Sequence, residues 1–134
     1  MTLIFCLDNK RGMMFNSRRQ SSDRVLRERI ISISGEDRLI VSPYTAKQFE
    51  ITDNVTVSDD PMAIVSAGDV CFIEDTEARF DSCERVIIYL WNRDYPADKH
   101  FSADLAGLGF KLSSVEDFKG YSHEKITEKI YVKE

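Results

Sequence analysis

Four short runs of nearly unbroken apolar residues punctuate this chain: Leu3-Ile4-Phe5-Cys6-Leu7, Leu39-Ile40-Val41, Val70-Cys71-Phe72-Ile73 and Val86-Ile87-Ile88-Tyr89-Leu90. A strand solvated on one face alternates apolar and polar residues, so unbroken runs of this length mark strands covered on both faces. Helix signals lie between them. Ser22 or Asp23 is a good N-cap, Leu26, Ile30 and Ile33 share one helical face from Arg24 onward, and Gly35 stops the helix. Ser42-Pro43 sets a cap before a proline at the first helical position, which predicts a short helix over Tyr44 to Phe49. Asp60-Pro61 opens another short helix, closed by Gly68. Strands alternating with helices predict an α/β fold: a single domain over 1–134, with a mainly parallel or mixed sheet flanked by short helices.

Weaker signals fill in the rest. Met13-Met14-Phe15 predicts a short second strand or hairpin arm, and Val55-Thr56-Val57 an edge strand. Phe110 to Leu112 reads as a short strand, with Ser113 or Ser114 beginning a helical turn that ends near Phe118. Ile126, Glu128, Ile130 and Val132 alternate with the strand period, predicting a C-terminal edge strand exposed on one face. A chain of 134 residues can bury one core without staples. No apolar run approaches the roughly 20 residues that span a bilayer. The first run lacks a basic leader and is followed by Asp8, so it reads as a strand and not a signal peptide. A cytoplasmic protein with no membrane partner is expected. Cys6, Cys71 and Cys83 make an odd count in no metal-like spacing, and read as small buried hydrophobes.

Charge narrows the partner. The net charge is −5, yet residues 8–29 carry seven Lys/Arg against three acids, leaving −9 on the remainder. A protein that wraps long nucleic acid is usually basic overall, so that partner is disfavoured. A local basic site on an acidic body suits a small anionic ligand. Parallel sheets bind ligands in the crevice beyond the C-terminal ends of their strands. Polar groups follow each of the four runs: Asp8, Asn9 and the basic loop; Ser42 and Tyr44; Glu74 and Asp75; Trp91 through Asp98. If the strands are parallel, all four sets line one rim, and loops 8–23 and 91–98 meet there.

Within that rim, Arg18-Arg19-Gln20-Ser21-Ser22 is one candidate binding segment. Paired arginines can grip phosphate or carboxylate, and the helix N-terminus behind Ser21 and Ser22 adds free N–H groups. The plainer reading is a surface loop whose arginines pair with neighbouring acids. The second candidate is Trp91-Asn92-Arg93, where an aromatic ring beside hydrogen-bonding groups can stack on a base. Trp91 alone reads better as core cover. His100 and His123 read as surface histidines, and His123-Glu124 is not a dyad, since adjacent strand residues face opposite ways. Asp59-Asp60 and Glu74-Asp75 give no specific metal signal. Nothing in the sequence resembles a Ser/His/Asp or Cys/His nucleophile arrangement, and no cofactor is implied.

Three functions follow. The first is a small-anion or nucleotide-like ligand-binding domain using Arg18, Arg19, Gln20, Ser21, Ser22, Trp91, Asn92 and Arg93. The second is a phosphodiester or nucleotide hydrolase or nuclease, with arginines stabilising charge and Asp8, Asp75 or His123 supplying acid/base or metal function. The third is a protein-interaction module, a homodimer built on an edge strand near 126–132.

The segments C-L-D-N-K-R-G-M-M-F-N-S-R-R-Q-S-S-D-R-V-L (6–26), S-P-Y-T-A-K (42–47), G-D-V-C-F-I-E (68–74), Y-L-W-N-R-D-Y-P-A-D (89–98) and S-H-E-K-I-T (122–127) together resemble, over nearly the full length, a small bacterial protein family often labelled "ribonuclease Z". The family brings no established activity. The label implies two zinc ions held by an H-x-H-x-D-H run and further histidines, whereas this chain has two histidines in total and Asp98-Lys99-His100 is no such run. Zinc and tRNA processing are therefore not carried over. The shared segments are those already placed on the rim.

Overall fold

In chain order the elements are β1 (Thr2–Leu7), β2 (Gly12–Phe15), β3 (Arg18–Arg19), α1 (Arg24–Ser34), β4 (Leu39–Val41), α2 (Pro43–Ala46), β5 (Val55–Val57), α3 (Pro61–Ile64), β6 (Val70–Phe72), β7 (Arg85–Leu90), β8 (Lys99–His100), β9 (Phe110–Phe118) and β10 (Ile126–Lys133). The computed structural model describes residues 1–50 and 54–134. The four apolar runs are the middle of a seven-stranded sheet of order β5-β4-β6-β1-β7-β10-β9. β1 pairs in parallel with β6 and β7, and β4 in parallel with β5 and β6. β10 runs antiparallel to β7 and β9, so the sheet is mixed.

Both faces of β1 are buried, as an unbroken apolar strand requires. Leu3, Phe5 and Leu7 belong to one core cluster, together with Met13 and Met14 of β2 and Phe101, Leu105 and Phe110 of the later segments. Ile4 belongs to the opposite cluster, against Leu26 and Ile30 of α1. Burying each of those helix side chains contributes about 1.5–3 kcal/mol. Asp23 caps α1 by accepting the N–H of Val25 (2.9 Å) and Leu26 (3.2 Å), and Gly35 ends it at φ +55°. On the first face a second, three-stranded antiparallel sheet, β3-β2-β8, does the covering. Its β2–β3 turn is Asn16-Ser17, both at positive φ (51° and 60°), as a two-residue hairpin turn of the primed type needs.

The short helices are shorter than the sequence predicts. α2 ends at Ala46 and the chain reaches Phe49 through turns, while Ser42 caps the Thr45 N–H at 3.1 Å as expected. α3 is one turn, and Asp60 gives it no side-chain cap. The main correction is at 113–118, which is not a helical turn. Phe110–Phe118 is one nine-residue strand, paired along β10 with an irregularity between Ile130 and Tyr131. Being outermost, β9 keeps polar residues on both faces, and its sequence therefore lacks the strand alternation. The C-terminal part thus supplies the edge strand through β9, and β10 lies one place further in. There Glu128 is buried, accepting Tyr89 Oη–H (2.9 Å) and Arg29 Nε–H (2.8 Å). Among the described residues, no helix is long and apolar enough to cross a membrane.

Candidate functional site

Because β1, β4, β6 and β7 are parallel, the residues that follow them share a rim. Asp8 ties that rim together. Its buried carboxylate accepts the N–H groups of Lys10 (2.9 Å) and Gly12 (2.7 Å) on one oxygen, and Gln20 Nε2–H and Tyr95 N–H (both 3.1 Å) on the other. Burial opposes ionisation, but the N–H donors of Gly12, Tyr95 and Lys10 and the Gln20 amide outweigh it and hold the carboxyl below its usual range. Loops 8–23 and 91–98 do meet. Asn9 N donates to Arg93 O (3.0 Å), Asp98 N to Met14 O (2.9 Å), Asn16 N to Asp98 Oδ2 (3.0 Å) and Gln20 Nε2 to Pro96 O (3.3 Å). Gly12 is needed there, since a Cβ would lie 2.7 Å from that of Ala97.

Arg18 and Arg19 do not form a pair. They are the two residues of β3, and successive strand residues point to opposite faces. Arg19 turns inward. Its Nε and Nη2 donate to Glu74 (3.0 and 3.1 Å), and its guanidinium lies over the Tyr44 ring at 4.4 Å. Glu74 also accepts Thr45 Oγ1–H (2.9 Å) and Gln48 Nε2–H (3.0 Å), so it is held by protein and not available as a metal ligand. Asp75 accepts Ser42 Oγ–H at 2.6 Å. Among the described residues, no group of three or more His, Cys, Asp or Glu is gathered as a metal site. Arg18 turns outward, opposite Phe15 in the hairpin. It lines an open cleft of about 470 Å³ with Phe15, Asn16, Arg19, Gln20, Tyr95 and Pro96.

The second loop divides similarly. Trp91 is 3% exposed, and its indole stacks on the His123 imidazole with 4.6 Å between centroids. It offers no free face to an exposed base. Asn92 sits at φ +59°, and its amide donates to Lys125 O (3.2 Å) and Thr127 Oγ1 (3.0 Å), bracing the start of β10. The Arg93 side chain is exposed, while its carbonyl takes the Asn9 N–H.

His123 is not a surface residue. It is 5% exposed, and it joins groups that the sequence sets about a hundred positions apart. Its Nδ1 lies 2.9 Å from Asp23 Oδ2, and its Nε2 lies 2.9 Å from Ser21 Oγ and 3.4 Å from Tyr95 Oη. Asp23 accepts, besides the two cap bonds, the N–H groups of Tyr121 (3.0 Å) and Ser122 (2.9 Å). Burial would raise the Asp23 carboxyl, but the Tyr121 N–H, the His123 ring and the Ser122 and Leu26 N–H groups drive it far below its usual range. A hydroxyl, an imidazole and a carboxylate thus stand in line, contrary to the sequence reading that no such arrangement exists. Ser21 is half-buried at the mouth of a narrow crevice lined also by Cys6, Leu26, Arg27, Phe72 and Trp91. Ser22 is exposed beside the cap. The one local signal was Ser21-x-Asp23 ahead of a helix, which capping alone explains.

Neither a scan against protein-family models nor a search of curated proteins finds a match. Among solved structures, the chain is similar to dihydrofolate reductase from Enterococcus faecalis complexed with NADP(H) and RAB-propyl. The TM-score is 0.69, covering 98% of this chain and 94% of that one, at 10% sequence identity. At that identity the likeness is one of fold.

Proposed function

We propose that this chain binds a small nucleotide-like anion in the cleft between the β2–β3 hairpin and the 91–98 loop. The observation that carries this is the lining of the cleft. Two aromatic rings, Phe15 and Tyr95, stand with one outward arginine, Arg18, and two amides, Asn16 and Gln20. Phe15 is 41% exposed, so its ring is accessible for stacking on a base. Arg18 makes no ion pair among the described residues, so its fork is open to a phosphate oxygen. Gln20, whose amide Nε2 is held by Asp8 and Pro96, keeps its side chain fixed at the cleft wall. The volume lies in the range of small-ligand sites, about 300–1,000 Å³. The reductase of similar fold is complexed with NADP(H), a nucleotide, which supports the ligand class. Arg19 also lines the cleft but is committed to Glu74, and Ser21, Ser22, Trp91, Asn92 and Arg93 are not among its lining residues.

Calorimetric titration with ADP tests the reading. Binding is expected, with Arg18→Ala weakening it about tenfold or more, the size of one charge-assisted hydrogen bond. Phe15→Ala is expected to weaken it comparably through lost stacking. Unchanged affinity in both variants, or no heat with the parent protein, overturns the proposal.

A further inference from the structure

We infer that the opening between β8 and the 76–80 segment, on the face of the sheet away from α1, binds a small aromatic monocarboxylate. Its floor is Phe5, Met13, Ile73 and Phe101, all buried, and Ala78 and Phe80 form a wall. The Phe101 ring stands edge-on to Phe5 (4.7 Å between centroids, 65° between planes) and to Phe80 (6.3 Å, 87°). A further ring can extend that packing. The space is about 250 Å³. An apolar cavity of roughly 150 Å³ holds a benzene ring, so a ring with a short polar arm fits here. Larger ligands occupy about 300–1,000 Å³, and are too big for it. The walls are fastened before anything enters. Phe101 N–H donates to Arg11 O (2.8 Å), Arg11 Nη2–H to Ala103 O (2.8 Å) and Arg79 Nη2–H to Met62 O (3.1 Å).

Lys99 sets the charge of the ligand. It lines the opening half-buried, and its Nζ donates to the main-chain carbonyl of Glu74 at 3.0 Å. The Glu74 carboxylate itself is taken by Arg19. Among the described residues Lys99 enters no ion pair, so its charge is not neutralised. An ammonium has three donors, and the Glu74 carbonyl uses one. A carboxylate accepting another gains a charge-assisted hydrogen bond while its ring lies on the apolar floor. Glu77 is the one acid of the lining, and it is exposed, where water weakens its repulsion. Lys99 acts from a half-buried position, where the effective dielectric is lower and its attraction stronger. The same cation repels an amine. No residue lining this opening lines the Arg18 cleft, so the inference is independent of the ADP titration.

Titration with phenylacetate, followed by NMR of the labelled protein, tests it. Saturable shifts of the amide signals of 76–80 and 99–103 are expected, with a Kd in the millimolar range or tighter. Overhauser contacts should run from the ligand ring to the Phe80 and Phe101 rings. Phenethylamine, the same ring with the opposite charge, should bind at least about tenfold more weakly. Lys99→Met keeps the apolar stem and removes the charge, and should weaken phenylacetate at least about tenfold. Lys111→Met on β9 and Arg18→Ala should match the parent. Ala78→Leu adds volume at the wall and should abolish binding. Because Ala78 is half-exposed, that result stands even if Lys99→Met fails to fold. No saturable shift in the parent, contacts to Phe15 or Tyr95 instead, equal affinity for phenethylamine, or parental affinity in Ala78→Leu overturns the proposal.

Discussion

Arg18 and Arg19 are chain neighbours with opposite duties. Read in one dimension they are a cationic pair, but the strand period separates them across β3. Arg19 neutralises Glu74, whose side chain is 8% exposed, and Arg18 faces solvent. Arg19→Ala would leave that carboxylate buried without its cation and should cost about 3 kcal/mol. Arg18→Ala should change stability by no more than about 0.5 kcal/mol. Urea unfolding midpoints at neutral pH check both. Equal midpoints for the two variants would contradict the split. His123 makes the same point at longer range. Its own neighbours, Ser122 and Glu124, say surface. Its burial is set by Asp23 and Trp91, which no local window contains.

At the scale of elements, legibility followed locality. β1, β4, β6 and β7 were readable because strands buried on both faces need unbroken apolar sequence. α1 was readable from both ends, since Asp23 and Gly35 act within a turn of the helix. The hairpin turn at Asn16-Ser17 was only half readable, because no glycine announces its positive φ. β9 was misread as strand plus helical turn because its pairing with β10, and not its own pattern, makes it a strand. The candidate cleft was legible as a rim, and the meeting of loops 8–23 and 91–98 followed from parallel strands. The division of labour within it was not. α1 offers an element-scale measurement. Ile30 is fully buried against Ile4 and Tyr89's side of the sheet, so Ile30→Ala should cost about 2–5 kcal/mol in thermal or urea unfolding. Ile31, about 100° further round the helix and 48% exposed, should tolerate alanine within about 0.5 kcal/mol.

For the whole molecule, pH exposes how the rim and the sheet are fastened. The carboxyls of Asp8, Asp23 and Asp69 are all held below the ordinary value of 3.8. In each case burial works against the charge and is outweighed, for Asp8 and Asp23 by the donors already named and for Asp69 by Arg38 and the Ser66 N–H. A carboxyl with a depressed native pKa stabilises the fold fully above its unfolded pKa and loses that contribution as pH falls toward the native value. Unfolding free energy should therefore be flat with respect to these groups above about pH 5 and fall steeply below about pH 4. Asp23→Asn should lower the plateau and flatten the acid limb. A variant with the parent's slope would show that Asp23 does not carry this dependence.

Asp23 also fixes a moment in the life of the chain. Its partners Tyr121, Ser122 and His123 lie 98, 99 and 100 residues downstream. A ribosome delivers the N-terminal end first, so β1 and α1 can emerge while those partners have yet to be translated. During synthesis the helix cap can form at once, whereas the imidazole reaches Ser21 only after a further 102 residues have been made. The junction at Asp23, which fastens the start of α1 to the approach to β10, is therefore among the last contacts to close.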